Sequence, residues 1–175
     1  MLEIELKVQV PDLAPVRERL LAIGARMTEK TGEHDSYYNA PHRDFAITDE
    51  ALRVRYSSGR TIITYKGAKR KDLQFKAREE LNVTVEGGPE FEQMLERLGF
   101  RKTAVVDKVR EYYSFENASI ALDEVGGLGS YVEIEVMRAE SDVSDTSIIK
   151  NIAEKIGVRG EQILASYLEL ILAKQ

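Results

Sequence analysis

The sequence predicts an α+β fold dominated by one long antiparallel sheet. Three observations carry this. Long stretches alternate apolar and polar residues with a period of two, as strands with one covered face do. Short turns containing glycine or asparagine separate several of them, and strands joined by short turns pair antiparallel. A few remaining segments carry apolar residues at helical spacing and stop at glycine.

Leu2 to Val10 alternates throughout and reads as the first strand. Asp12 then caps a helix with Leu13, Val16, Leu20 and Ile23 on one face, Pro15 in its first turn and Gly24 as its stop. Arg26 to Tyr38 reads as a less regular strand. Ala51–Tyr56 and Thr61–Lys66 follow as a hairpin around Gly59, and Gln74–Val85 follows Gly67 as one long strand. A helix starts near Gly88-Pro89, aligns Phe91, Leu95 and Leu98, and ends at Gly99. Val105–Phe115, Ser119–Val125 and Tyr131–Met137 are strands turning at Asn117 and at Gly126-Gly127-Leu128-Gly129. A third helix starts near Ser144-Asp145, aligns Ile148, Ile152 and Ile156, and stops at Gly157. The last runs from about Glu161 to Ala173, with Ile163, Leu164, Tyr167, Leu168, Ile171 and Leu172 on one wide stripe. That stripe suits core packing and also a homodimer contact. Leu20–Arg26 echoes Leu95–Arg101, and Glu3-Ile4-Glu5 echoes Glu133-Ile134-Glu135. A duplicated half-barrel and a chance likeness of amphipathic helices explain the echo equally well.

Composition narrows the function classes. The 175 residues contain no cysteine and two histidines, which excludes thiolate and multi-histidine metal sites and a cysteine nucleophile. A net charge of −5 argues against general nucleic-acid binding, but leaves room for a local basic pocket. No apolar run spans a bilayer and no cationic-apolar leader opens the chain, so the expected partners exclude membrane and the expected location is cytoplasmic.

The informative residues lie on the polar face of the strands. Side chains two apart share a face, so Glu3, Glu5 and Lys7 stand together, as do Arg53 with Arg55, Lys76 with Arg78, Lys108 with Arg110, and Glu133 with Glu135. A solvated sheet face is the plain alternative, but such a face mixes its signs, whereas here like charges are neighbours. A sheet this long curls or closes. Closed with the polar face inward, it makes a charged tunnel under outer helices. Arginine forks in such a tunnel match phosphate oxygens, and paired carboxylates suit a hard cation such as Mg²⁺ or Mn²⁺. Neither a P-loop nor a Rossmann fingerprint is present.

Glu3-Ile4-Glu5-Leu6-Lys7 resembles the Glu-x-Glu-x-Lys element of the CYTH superfamily, the triphosphate tunnel metalloenzymes. His34-Asp35-Ser36-Tyr37-Tyr38, Leu52-Arg53-Val54-Arg55, Thr64-Tyr65-Lys66-Gly67, Arg78-Glu79-Glu80, Lys108-Val109-Arg110, Leu122-Asp123 and Glu133-Ile134-Glu135 follow in family order. The small size, the His-Asp-Ser-Tyr-Tyr stretch and the last helix look most like the class IV adenylyl cyclase branch. The resemblance implies one domain over residues 1–175, built as a closed antiparallel tunnel of about eight strands with helices outside. It implies a divalent metal, Mg²⁺ or Mn²⁺, on Glu3, Glu5 and Glu135, with Asp123 and Glu133 as further ligands or supports. It implies a nucleoside triphosphate or other triphosphate held by Lys7, Arg53, Arg55, Lys66, Arg78, Lys108 and Arg110. Among these, Lys7, Arg55, Lys66, Lys108 and Arg110 are the expected catalytic cations.

Lys76 has no counterpart in that pattern. Lys69, Arg70 and Lys71 fall in a loop that either closes over substrate or is solvated, and His34, His42, Tyr37, Tyr38 and Tyr112 read as surface, packing or wall residues. Three activities compete: a cyclase making cyclic AMP and pyrophosphate from ATP, a triphosphatase releasing orthophosphate from an inorganic, thiamine or other organic triphosphate, and a binder of polyphosphate or nucleotide. The carboxylate pairs argue against the binder, because an anion pocket gains nothing from acids.

Overall fold

The computed structural model describes residues 2–72, 75–139 and 146–175. Nine strands form one antiparallel sheet: β1 (Leu2–Val10), β2 (Arg26–Asn39), β3 (Ala51–Ser57), β4 (Arg60–Lys66), β5 (Lys76–Arg78), β6 (Glu80–Val85), β7 (Arg101–Phe115), β8 (Ala118–Val125) and β9 (Gly129–Arg138). Their order is β5-β1-β9-β8-β7-β2-β3-β4-β6. The expected eight strands become nine because Gln74–Val85 is not one strand. It breaks at Glu79, and β5 pairs with β1 while β6 pairs with β4. One bent segment therefore supplies both edges of the sheet and draws them together into the nearly closed barrel that alternation anticipates.

Three helices cover the outer, apolar face. α1 (Ala14–Ala22) and α4 (Ser147–Lys155) lie on the wall of β1, β8 and β9, where Ile4, Ile120, Ile134, Leu20, Ile149 and Ile152 are fully buried. Asp12 Oδ1 accepts the Ala14 amide at 3.0 Å at the start of α1. The expected start of the third amphipathic helix at Ser144-Asp145 lies outside the described residues. α3 (Gly88–Arg97) packs Leu95 and Phe91 against Tyr38, Val54 and Ile63. Its close seat needs Gly88, where a Cβ would come within 2.6 Å of Thr61 Oγ1. Leu98 was expected on the same stripe, but as the C-cap residue it swings outward and is 69 % exposed. A one-turn helix, α2 (Phe45–Thr48), capped by Asp44, is too short to show a helical period.

The last helix differs most from expectation. α5 spans Tyr167–Ala173, because Ser166 and Glu169 form a reciprocal capping box that starts it there. The residues before it have no regular structure and lie beside β1, with the Ile163 amide donating to Lys7 O at 2.8 Å. α5 then seats Tyr167 among Tyr37, Ala51, Val106, Val125 and Tyr131, at one end of the tunnel. The apolar stripe thus serves packing in this chain, though Leu164 and Leu172 stay exposed. No helix among the described residues is long and apolar enough to cross a membrane.

Candidate active site

Strand alternation directs one set of charged side chains inward. Glu3, Glu5, Lys7, Arg53, Arg55, Lys66, Arg78, Lys108, Arg110, Glu133 and Glu135 line one cavity of about 160 Å³. They come from six strands, and the shared face of each strand is what brings them together. Asp123 lies behind this lining, fully buried. The cavity also takes in Lys76, Glu80, Tyr37, Tyr112 and Tyr167.

Three carboxylates converge on one wall. Glu5 and Glu135 are directly opposed in the β1–β9 ladder, and oxygens of Glu3, Glu5 and Glu135 all lie within 4.8 Å of one another. Burial pushes the Glu3 carboxyl up to about 7, with Glu80 and Glu5 adding repulsion against the pull of Lys66. Burial, then the charges of Glu3, Glu133 and Glu5, holds Glu135 well above the usual carboxylate range. Burial acts on Glu5 too, but Lys76 and Lys7 outweigh it and keep that carboxyl below its ordinary value. A trio of clustered carboxylate oxygens, two of them on groups without an ion pair among the described residues, is the donor set a hard divalent cation takes, so these residues fit the metal that the resemblance implies.

The other inward acids are already matched. Arg110 reaches Asp123 Oδ1 at 2.6 Å and Glu133 Oε2 at 2.6 Å, and the Tyr167 hydroxyl donates to Asp123 at 2.7 Å. Lys7 Nζ stands 3.4 Å from both Glu5 and Glu133 and 4.3 Å from the centre of the Tyr167 ring. Burial works against the Glu133 charge, but Arg110 and Lys7 prevail and hold it well below the usual range. Asp123 and Glu133 therefore sit in a cation cluster beside the trio rather than within it.

Two acids absent from the expected site occupy the opposite wall. Arg55 grips Asp35 with Nε and Nη2, each at 2.7 Å, and lies 3.1 Å from Glu33. Lys108 Nζ lies 2.9 Å from Glu33 and 3.2 Å from Asp35, and Tyr112 donates its hydroxyl to Glu33. The alternation Glu33–Asp35–Tyr37 was the available signal, obscured by the register irregularities of β2. Lys66 pairs with Glu80 at 2.8 Å, and Lys76 turns into the tunnel 3.1 Å from Glu5.

Among the described residues, two guanidinium groups of the cavity lining have no close carboxylate. Arg53 donates to Thr64 Oγ1 at 3.0 Å, meets Glu80 only at 4.0 Å, and its buried Nε has no hydrogen-bond partner. Arg78 donates to the carbonyls of Gly67 at 2.6 Å and Asp49 at 3.0 Å. Lys69 leaves the basic loop to bind Asp49 and Glu169, tying that loop to α5. His34 is an exposed partner of Asp107, His42 is exposed next to Arg43, and Tyr38 packs under α3.

Comparison with known proteins agrees with this geometry. A Methanocaldococcus jannaschii protein provisionally named an adenylate cyclase is 35 % identical over 175 residues, covering 97 % of this chain and 98 % of that protein. The solved structure of the PH1819 protein from Pyrococcus horikoshii superposes with a TM-score of 0.89 at 35 % identity, over 99 % of both chains. A Hippeastrum protein provisionally named an adenylyl cyclase and described as having a dominant triphosphatase activity shares the fold, with a TM-score of 0.75 at 17 % identity over 99 % of this chain and 96 % of that one. The family model described as the CYTH domain matches residues 1–167, and with a charged tunnel of this architecture the chain belongs to the CYTH family.

Proposed function

We propose that this protein is a divalent-metal-dependent adenylyl cyclase that converts ATP to cyclic AMP and pyrophosphate inside the tunnel. The supporting observation is the placement of unbalanced charge. Glu3, Glu5 and Glu135 offer a cation three clustered oxygens, while Arg53 and Arg78 line the same cavity without a carboxylate in hydrogen-bond contact. A metal ion and a polyphosphate are the complementary pair for such a site. The kinship with a protein provisionally named an adenylate cyclase supports the choice of reaction.

A divalent metal bound by Glu3, Glu5 and Glu135 would activate an attacking oxygen and neutralise phosphate charge. The chain's own cations do the rest. Arg53 has a free Nε for a phosphate oxygen, and Lys66 stands on the neighbouring strand. Lys7, Lys108, Arg55 and Arg110 surround the phosphate chain with fixed positive charge that stabilises the charge developing on leaving pyrophosphate. Asp35, Glu33, Asp123 and Glu133 hold those cations in place. The ribose 3′-oxygen attacks the α-phosphorus, its proton passes to solvent, and the bond from the α-phosphorus to the α,β-bridging oxygen breaks to release pyrophosphate.

A triphosphatase is the second reading, favoured by the activity stated for the Hippeastrum protein of the same fold. The cradle is shared and only the attacking oxygen differs. Incubation with ATP, tripolyphosphate and thiamine triphosphate in Mg²⁺ or Mn²⁺ separates the two. Cyclic AMP with pyrophosphate supports the cyclase, orthophosphate supports the triphosphatase, and no turnover removes both.

A further inference from the structure

The end of the chain takes hold of Lys7 at three points. The Ile163 amide donates to the Lys7 carbonyl at 2.8 Å, the Lys7 ammonium donates to the Ala165 carbonyl at 3.2 Å, and the Tyr167 ring covers that ammonium at 4.3 Å from its centre. The same ring lies 5.6 Å from the Lys108 ammonium. Lys7 belongs to β1 and Lys108 to β7, which are not neighbours in the sheet. One aromatic ring therefore meets cations from two separate parts of the wall.

The ring is itself fixed. Its hydroxyl donates to Asp123 at 2.7 Å, and Arg110 closes its fork on that same carboxylate. Burial, then the charges of Glu133 and Asp123, push the phenol far above its ordinary value, so the hydroxyl keeps its proton and remains a donor. Tyr131 packs edge-on against the ring at 5.2 Å. The side chain is buried, and a cation beside an aromatic ring is held most strongly where both are desolvated.

An aromatic face differs from the other partners that a buried ammonium can have. A carboxylate cancels the charge, and an aliphatic group leaves it desolvated and unsupported. The ring attracts the cation through its quadrupole and carries no net charge, so the positive potential of the cavity survives. Lys7 stays 3.4 Å from both Glu5 and Glu133, longer than the roughly 2.7–2.9 Å of a full charge-assisted bond. Burial works against its charge, but the two glutamates prevail and hold its pKa above the ordinary lysine value, so it remains an ammonium.

Taking the triphosphate reading above as given, we infer that Tyr167 is a positioning residue: its ring seats the Lys7 and Lys108 ammonium groups at the cavity without neutralising them, and so sets how tightly a triphosphate is held. Lys7 depends on the ring more, because it is nearer and because Lys108 also has Glu33 at 2.9 Å.

Replacement of Tyr167 by phenylalanine and by its mono-, di- and trifluorinated analogues tests this. The rings have nearly the same shape, and each fluorine withdraws electron density from the face. Calorimetric titration in Mn²⁺ reads the affinity for a tripolyphosphate analogue with methylene at both bridges, which resists hydrolysis. Affinity should fall stepwise along the series, by about fivefold or more from phenylalanine to the trifluorinated ring. Tyr167→Leu, which has no aromatic face, should bind no better than the trifluorinated protein. A merely structural ring would show no trend with fluorination. Affinity independent of fluorination, or Tyr167→Leu equal to Tyr167→Phe, overturns the positioning role while leaving the triphosphate reading intact. Failure of the analogue to bind the unaltered protein overturns both.

Discussion

Glu5 and Glu135 face each other across the β1–β9 ladder, yet their carboxyl groups are driven in opposite directions. Glu5 has Lys76 at 3.1 Å and Lys7 at 3.4 Å to favour its charge. For Glu135, burial and three neighbouring glutamates dominate and favour the proton.

Metal binding should accordingly release protons. A cation takes the ionised forms of Glu3 and Glu135, so below about pH 7, where Glu3 is largely protonated, each binding event expels protons. Mn²⁺ affinity should rise as pH climbs from 6 to 8. Calorimetry in buffers of different ionisation enthalpy measures the release. A buffer-independent enthalpy at pH 6 would remove the trio as the metal site.

Glu135→Gln should stabilise the metal-free protein. A carboxyl with a raised native value is a liability above its unfolded value of about 4.5, because the unfolded chain ionises freely and the native one does not. The gain should be absent below pH 4.5, grow as pH rises, and reach about 1–2 kcal/mol near pH 7 in denaturant titrations. The same variant should lose most of its Mn²⁺ affinity. A destabilised variant at pH 7 would show that Glu135 is held ionised by a partner.

Asp35→Asn should do the opposite. Arg55 and Lys108 hold the Asp35 charge, outweighing its burial, and keep its carboxyl well below the usual range. Its stabilising contribution is present above the unfolded value of about 3.9 and fades as pH falls through the lower native value. Removing the charge leaves two buried cations short of a partner, at a cost of roughly 3 kcal/mol at pH 7. A cost below about 1 kcal/mol would mean that Glu33 suffices for both cations.

How far the sequence reveals this depends on the signal each feature leaves. A two-residue period shows which side chains share a face, so Lys7, Lys108 and Arg110 are legible as tunnel cations from strands far apart. The same period is blind to a corner. Lys76 to Val85 alternates straight through Glu79, and only closure of the barrel demands the break there. Residues 161–165 mimic a helix because Ile163 and Leu164 continue the spacing of α5, while a hydrogen bond from the Ile163 amide to Lys7 O holds them against the edge of β1 instead. Tyr167 looks like one more core residue of an amphipathic stripe. Its position in the lumen follows from tertiary packing that no local pattern encodes. Asp35 belongs to a recognisable stretch, but its role as the partner of Arg55 requires the β2–β3 register that sets them opposite one another.

That register separates two arginines that the sequence makes look equivalent. Arg53 and Arg55 share a face of β3 and both line the cavity. Arg55 has its fork closed on Asp35, while Arg53 keeps a buried Nε without a partner. Lysine retains the charge at either position but removes the planar donor array. At Arg53 the change should therefore fall on the ligand: tripolyphosphate binding weakens by about 1–2 kcal/mol, the range of a charge-assisted hydrogen bond, with folding stability nearly unchanged. At Arg55 it should fall chiefly on the fold, since two short bonds to Asp35 are lost and an ammonium replaces only one of them. Stability should drop by roughly 2 kcal/mol or more, with a smaller loss of affinity. Denaturant titration and calorimetry on both variants give the two numbers for each. If Arg55→Lys instead loses affinity at full stability, the fork must leave Asp35 for the phosphate on binding, and Asp35 becomes a stand-in for substrate rather than a brace.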